Sequence, residues 1–88
     1  MILDDVFLFL KDAGVARSHA AFSTDFLGHS PRYYDYIRCS GARPSLRSLV
    51  KLAFTLTDLA KVASMLSEKV ALSDCAERVI GEVYRRCR

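Results

Sequence analysis

Residues 30–56 read SPRYYDYIRCSGARPSLRSLVKLAFTL, and two helix starts stand out in this stretch. Ser30 and Ser45 each lie beside a proline. A serine hydroxyl can accept from the free amides of a first helical turn, where proline loses no hydrogen bond. Gly41, which lies between the two helix starts, permits a tight helix end. The pattern predicts one helix from Ser30 to about Ser40 and a second from Ser45 to about Thr55.

Apolar residues recur at helical spacing on both sides of this stretch, and no segment alternates as a strand does. Before this stretch, the pattern predicts an N-terminal helix that ends near Gly14, with Leu3, Val6, Phe7 and Leu10 as its apolar stripe, and a helix from Arg17 to Phe26 that Ser18 caps. After it, the pattern predicts a helix from Thr57 or Asp58 to about Ser67 and a C-terminal helix over 72–88 that Ser73 caps. We therefore expect a compact all-α fold of five to six helices in one domain over residues 1–88, with a core in residues 1–70.

Charge is concentrated in the middle of the chain. The net charge is only +3, but between Arg17 and Lys51 six basic residues face two acidic ones, a local net of +4. Such a basic centre favours a polyanionic partner. Hydrophobic residues at 51% and charged residues at 26% are typical of a folded protein rather than a disordered one.

The sequence offers little for secretion, membrane insertion, metal binding or catalysis. The apolar run Val6–Leu10 is short and follows two aspartates, where a signal peptide would be basic. Cys39, Cys75 and Cys87 are odd in number and, like the two histidines, lack metal-ligand spacing. No nucleophile and base arrangement is recognisable. We expect a cytoplasmic protein with reduced thiols, without a membrane segment, metal, cofactor or enzymatic activity.

The stretch from Ser18 to Leu56 resembles the lambda-repressor-like (Cro/repressor, XRE-type) helix-turn-helix family. The most similar part is Gly41-Ala-Arg-Pro-Ser45, followed by Leu46, Leu49, Val50, Leu52 and Ala53. The resemblance implies a helix-turn-helix whose helix over 30–40 enters the major groove of DNA, while helix N-termini bind phosphates. Between Phe22 and Gly28 this chain has one residue more than the family pattern, which predicts a longer or shifted turn.

This resemblance places the predicted site residues. Tyr34 and Ile37 match the inward positions of the family's reading helix, and Arg32, Asp35, Tyr36 and Cys39 lie on its opposite face. The guanidinium of Arg32 can donate hydrogen bonds to both major-groove acceptors of a guanine, and Tyr36 can contact a thymine methyl or a phosphate. The predicted DNA-binding residues are Arg17, Ser18, Ser30, Arg32, Tyr36, Arg38, Arg43, Ser45 and Arg47.

The function expected from this resemblance is a DNA-binding transcriptional regulator, a repressor that binds double-stranded DNA as a homodimer. The C-terminal helix over 72–88 either packs on the first helix of its own chain or pairs with a second copy. The predicted dimer residues are Val79, Ile80, Val83 and Cys87. The alternative is a helix-turn-helix scaffold that binds another protein, which the acidic Asp35 on the outer helix face favours.

Overall fold

The computed structural model describes residues 2–87, which form five helices and no strand. The all-α class is confirmed. The helices are α1 (Ile2–Asp12), α2 (His19–Ala21, continuing as a π-helix over Phe22–Phe26), α3 (Tyr33–Ser40), α4 (Leu46–Val62) and α5 (Leu66–Cys87). Their internal contacts form two units that divide between Pro44 and Ser45. Among residues 2–87, no helix is both long enough and apolar enough to cross a membrane.

In the first unit, α1 buries the predicted stripe of Leu3, Val6, Phe7 and Leu10. The helix ends as expected near Gly14, whose φ of +78° lies in the left-handed region that glycine adopts without strain. The amide of the following residue, Val15, donates to the Leu10 carbonyl over 2.9 Å and so satisfies an acceptor at the helix end.

α2 begins as predicted, because the Ser18 hydroxyl accepts a 3.1 Å hydrogen bond from the Ala21 amide. The helix then widens. The Leu27 amide donates to the Phe22 carbonyl, five residues back, over 3.2 Å. Each such turn holds one residue more than an α-helical turn. The structure therefore has a π-helix over Phe22–Phe26 at the place where the resemblance predicted a longer or shifted turn before Gly28.

α3 begins at Tyr33, three residues later than predicted, and Ser30 is not its cap. The Ser30 carbonyl instead accepts from the Tyr33 amide over 3.1 Å, in a separate turn. The capping hydroxyl comes from α2: buried Ser23 accepts from the Tyr34 amide over 2.9 Å and donates to the His19 carbonyl over 3.0 Å. The start of α3 is thus fixed by a tertiary contact rather than by a neighbouring residue.

The second unit is a pair of helices. Ser45 caps α4 as predicted, since its hydroxyl accepts from the Ser48 amide over 3.2 Å. The predicted break at 55–57 was wrong, because α4 continues to Val62. Thr57 does not cap a new helix; its hydroxyl donates to the Ala53 carbonyl over 2.8 Å, one turn back within α4.

α5 starts at Leu66, so the predicted start at residue 72 was wrong, and Ser73 lies inside the helix. The last residue of the predicted helix, Arg88, lies outside the described residues. α4 and α5 pack against each other across a short connection, as in an antiparallel helical hairpin. The buried face of α5 consists of Leu72, Cys75, Ala76 and Val79.

Candidate nucleic-acid interface

α3 has the two faces that the sequence predicted. Tyr34 and Ile37 point inward and are each 1% exposed. Arg32, just before the helix, and Tyr36 lie on the outside, and the Tyr36 side chain is largely exposed, at 61%. Asp35 and Cys39 share this outer face. The outer face is therefore accessible to a large partner.

Tyr34 fixes α3 to the rest of the first unit. Its ring contacts Phe22 and Phe7 at centroid distances of 5.0 and 5.4 Å, and its hydroxyl donates to the Asp4 carboxylate of α1. Burial raises the pKa of the Tyr34 phenol well above its usual value, and the hydrogen bond and charge of Asp4 raise it further. The phenol therefore stays neutral and continues to donate this bond.

Arg38, one of the predicted DNA-binding residues, lies partly against this same cluster. Its Nε is 3.5 Å from Asp4 Oδ1, and its guanidinium carbon is 5.7 Å from the centre of the Tyr34 ring. Part of its charge is thus balanced by α1. This geometry fits a role in holding α3 better than a role in reading bases.

A contact between His19 and Asp35 joins two helices, and no sequence pattern indicated it. His19 Nδ1 lies 2.6 Å from Asp35 Oδ1, and the imidazole packs edge-on against Phe7 and Tyr34 at 4.8 and 5.1 Å. The pair connects the first residue of α2 to the outer face of α3. It also gives the Asp35 carboxylate, which lies on an exposed helix face, a hydrogen-bonding partner within the chain.

This contact brings the residues that precede His19 close to the outer face of α3. Arg17 and Ser18 are both exposed there, although the Ser18 hydroxyl is used as a helix cap. Arg43 is exposed in the segment that follows α3. Outside α1, residues 13–44 hold four arginines and two aspartates, one of which is paired with His19.

Two predicted phosphate-binding residues, Ser45 and Arg47, belong to the second unit. Arg47 is exposed in the first turn of α4. The Ser45 hydroxyl lies 2.8 Å from the hydroxyl of Ser48, in addition to accepting from its amide. Ser45 therefore contributes to the helix cap, and Arg47 is the accessible cation of this turn.

The predicted dimer residues lie on different sides of α5. Val79 has no exposed surface, Ile80 and Val83 are half-buried, and Cys87 is exposed. Cys75, one turn before Val79, is buried, and this burial raises the pKa of its thiol. Among residues 2–87, no group of three histidine, cysteine or acidic side chains is placed to hold a metal ion.

A family model matches residues 3–88, which is nearly the whole chain; it describes a family of unknown function (DUF6626). No curated protein and no solved structure matches the chain.

Proposed function

We propose that this chain, which belongs to the DUF6626 family, is a sequence-specific DNA-binding regulator that acts as a repressor. The observation that supports this most strongly is the construction of α3. Its inner residues, Tyr34 and Ile37, are buried, while Tyr36 remains largely exposed beside Arg32. A helix fixed on one side and polar on the other is what reading the major groove requires.

In this proposal Arg32 contacts a guanine and Tyr36 a thymine methyl or a phosphate. Arg17 and Arg43 bind phosphates on either side, together with the backbone amides at the start of α2. The Asp35 carboxylate is held against His19 at the start of α2 by the 2.6 Å contact between them, which limits its approach to the DNA. Arg38 is assigned to holding α3, and its replacement changes stability as well as binding.

The proposed phosphate contacts can be tested by measuring how the affinity for DNA changes with salt concentration. Each phosphate neutralised on duplex DNA contributes about −0.9 to the slope of log affinity against log salt concentration. Replacement of Arg43 or Arg17 by alanine should therefore weaken binding to all sequences and make that slope shallower by about 0.9 for each phosphate that is no longer bound. Replacement of Arg32 should instead cost about 1–3 kcal/mol on the preferred sequence and relax discrimination at one base pair.

The experiment is selection of bound fragments from genomic DNA, followed by affinity titration of one fragment at several salt concentrations. Arg32→Ala and Arg43→Ala are compared with the parent. Lys11→Ala is the matched control, because Lys11 is an exposed cation at the end of α1, outside the proposed surface. The proposal fails if the parent binds no duplex DNA at low salt, or if Lys11→Ala weakens binding as much as Arg43→Ala.

The second candidate is a helix-turn-helix scaffold whose outer face binds a protein. The large exposed side chain of Tyr36 favours it, since aromatic residues are enriched in protein interfaces. The two functions differ in their response to Tyr36→Ala and to salt. Binding of a protein partner held mainly through Tyr36 would be abolished in that variant and would show a shallow salt dependence, in contrast to DNA.

For DNA binding we further propose a homodimer. One eight-residue helix reads few base pairs, and two-fold pairing sets two such helices about one DNA turn apart.

A further inference from the structure

α5 has a second stripe, separate from the face that packs on α4, with apolar residues on both sides of a polar centre. Its members follow one another at intervals of four and three residues, the spacing of a coiled-coil seam. The stripe, here called the α5 seam, consists of Leu66, Val70, Ser73, Glu77, Ile80, Tyr84 and Cys87. Six of its seven members are exposed and Ile80 is half-buried, with exposures of 76% for Leu66, 53% for Val70 and 69% for Tyr84.

We propose that the α5 seam pairs with the α5 seam of a second copy in antiparallel orientation. About a two-fold axis beside residue 75, Leu66 meets the partner's Tyr84, and Val70 meets the partner's Ile80. Ser73 then meets the partner's Glu77, so that a hydroxyl donates to a carboxylate at the centre. Every apolar member of these pairs faces an apolar one, and the central polar members face each other.

The opposite orientation does not give this match. Parallel pairing in register would set each Glu77 against the partner's Glu77, which places like charges together in the middle of the seam. A polar pair at a seam commonly fixes register and orientation in this way. The sequence of α5 therefore selects the antiparallel arrangement.

The surface beside the seam can receive a partner. A shallow groove of about 430 Å³ is lined by Thr57 of α4, by Ala76 and Gly81 of α5, and by the seam members Ser73, Glu77, Ile80 and Tyr84. A Cβ added at Gly81 would meet nothing within 4 Å, so the hairpin itself does not require a glycine there. Glycine inside a helix costs about 0.5–1 kcal/mol relative to alanine, and at this place it leaves room for a neighbouring side chain.

The first test is the mass of the full chain in solution without DNA, measured from about 1 to 200 µM. We expect a concentration-dependent shift from one chain to two. Val70→Lys and Tyr84→Lys should each raise the dissociation constant at least about tenfold, because each places a charge against an apolar partner. Leu8→Lys is the control: Leu8 is an equally exposed apolar residue on α1, and its replacement should change nothing.

A charge placed at the centre of the seam adds a test that failure to fold cannot mimic. Ser73→Lys should strengthen the dimer, because it faces the partner's Glu77, whereas Ser73→Glu should weaken it. The pairing is refuted if the parent is monomeric over the whole range or if Leu8→Lys weakens it as much as Val70→Lys. Because DNA is absent, these outcomes are independent of whether the proposed function holds.

Orientation is tested by oxidation of engineered cysteines in a Cys39→Ser and Cys87→Ser background. Leu66→Cys combined with Tyr84→Cys should give a crosslinked dimer. Tyr84→Cys alone should not, because in the antiparallel pair the two copies of this position are separated by about 18 residues, about 27 Å along the helix. Crosslinking by Tyr84→Cys alone, or none by the double variant, would refute the antiparallel seam.

Discussion

The hydroxyl of Ser23 provides the most direct test of how α3 is held. It is buried, accepts from the Tyr34 amide over 2.9 Å and donates to the His19 carbonyl over 3.0 Å. In Ser23→Ala the His19 carbonyl keeps a backbone donor, the Phe22 amide. The Tyr34 amide, in contrast, is left without its acceptor. The cost of the substitution is therefore mainly that of one buried, unsatisfied N–H group.

Such a group costs about 1–3 kcal/mol, and removal of a helix cap costs about 0.5–2 kcal/mol. Both values describe the loss of the same hydrogen bond, so they are not added together. We expect Ser23→Ala to lower the free energy of unfolding by about 2 kcal/mol. For a chain of this size the corresponding fall in Tm is about 8–16 °C. Urea unfolding followed by circular dichroism measures the first quantity, and thermal unfolding the second.

Thr24→Ala is the matched control for this substitution. The Thr24 hydroxyl donates to the Ala20 carbonyl over 3.2 Å on the exposed side of the same helix, and its removal should cost less than about 0.5 kcal/mol. Hydrogen exchange adds a local readout, since the Tyr34 amide should exchange at least about tenfold faster in Ser23→Ala. Equal destabilisation by the two variants, with unchanged exchange at Tyr34, would refute the tertiary cap.

Two further predictions concern the contacts of α3. Because burial raises the pKa of Tyr34, its neutral form stabilises the fold fully below the ordinary tyrosine pKa, and this contribution is lost as pH rises above about 10. Tyr34→Phe should therefore lose stability less steeply than the parent over that range in alkaline urea titrations; parallel curves would contradict this. His19→Ala should weaken DNA binding about three- to tenfold by freeing the Asp35 carboxylate, whereas His19→Ala combined with Asp35→Asn should restore it. Affinity titration at fixed salt measures this, and equal binding by both His19 variants would contradict the assignment.

The parts of the fold that the sequence predicted are those determined by local spacing. The α1 stripe, the Ser18 and Ser45 caps and the inward position of Tyr34 depend on neighbours three or four residues away. The α4 boundary was mispredicted because Thr57 can either cap a helix or bond the carbonyl one turn back, and it does the latter. The choice is made by packing, which a single sequence does not display.

The contacts of the candidate site were harder to predict because they join distant positions. His19 and Asp35 are 16 residues apart and lie on different helices. Ser23 and Tyr34 are 11 apart, and nothing in the spacing of a small polar residue indicates that it caps the next helix. The seam of α5 was hidden for a different reason, since the predicted start at residue 72 omitted Leu66 and Val70.

α3 has only eight residues, and a helix this short is not stable by itself in water. Its conformation must therefore come from the inner contacts, the Tyr34 ring and hydroxyl and the Ser23 cap. The outer residues Arg32 and Tyr36 contribute little to these contacts, because both are exposed. Replacing them should leave the free energy of unfolding within about 0.5 kcal/mol of the parent. Any fall in DNA affinity in these variants can then be assigned to the altered side chain itself, which makes the outer face of α3 the part of the molecule where the proposed function is most directly testable.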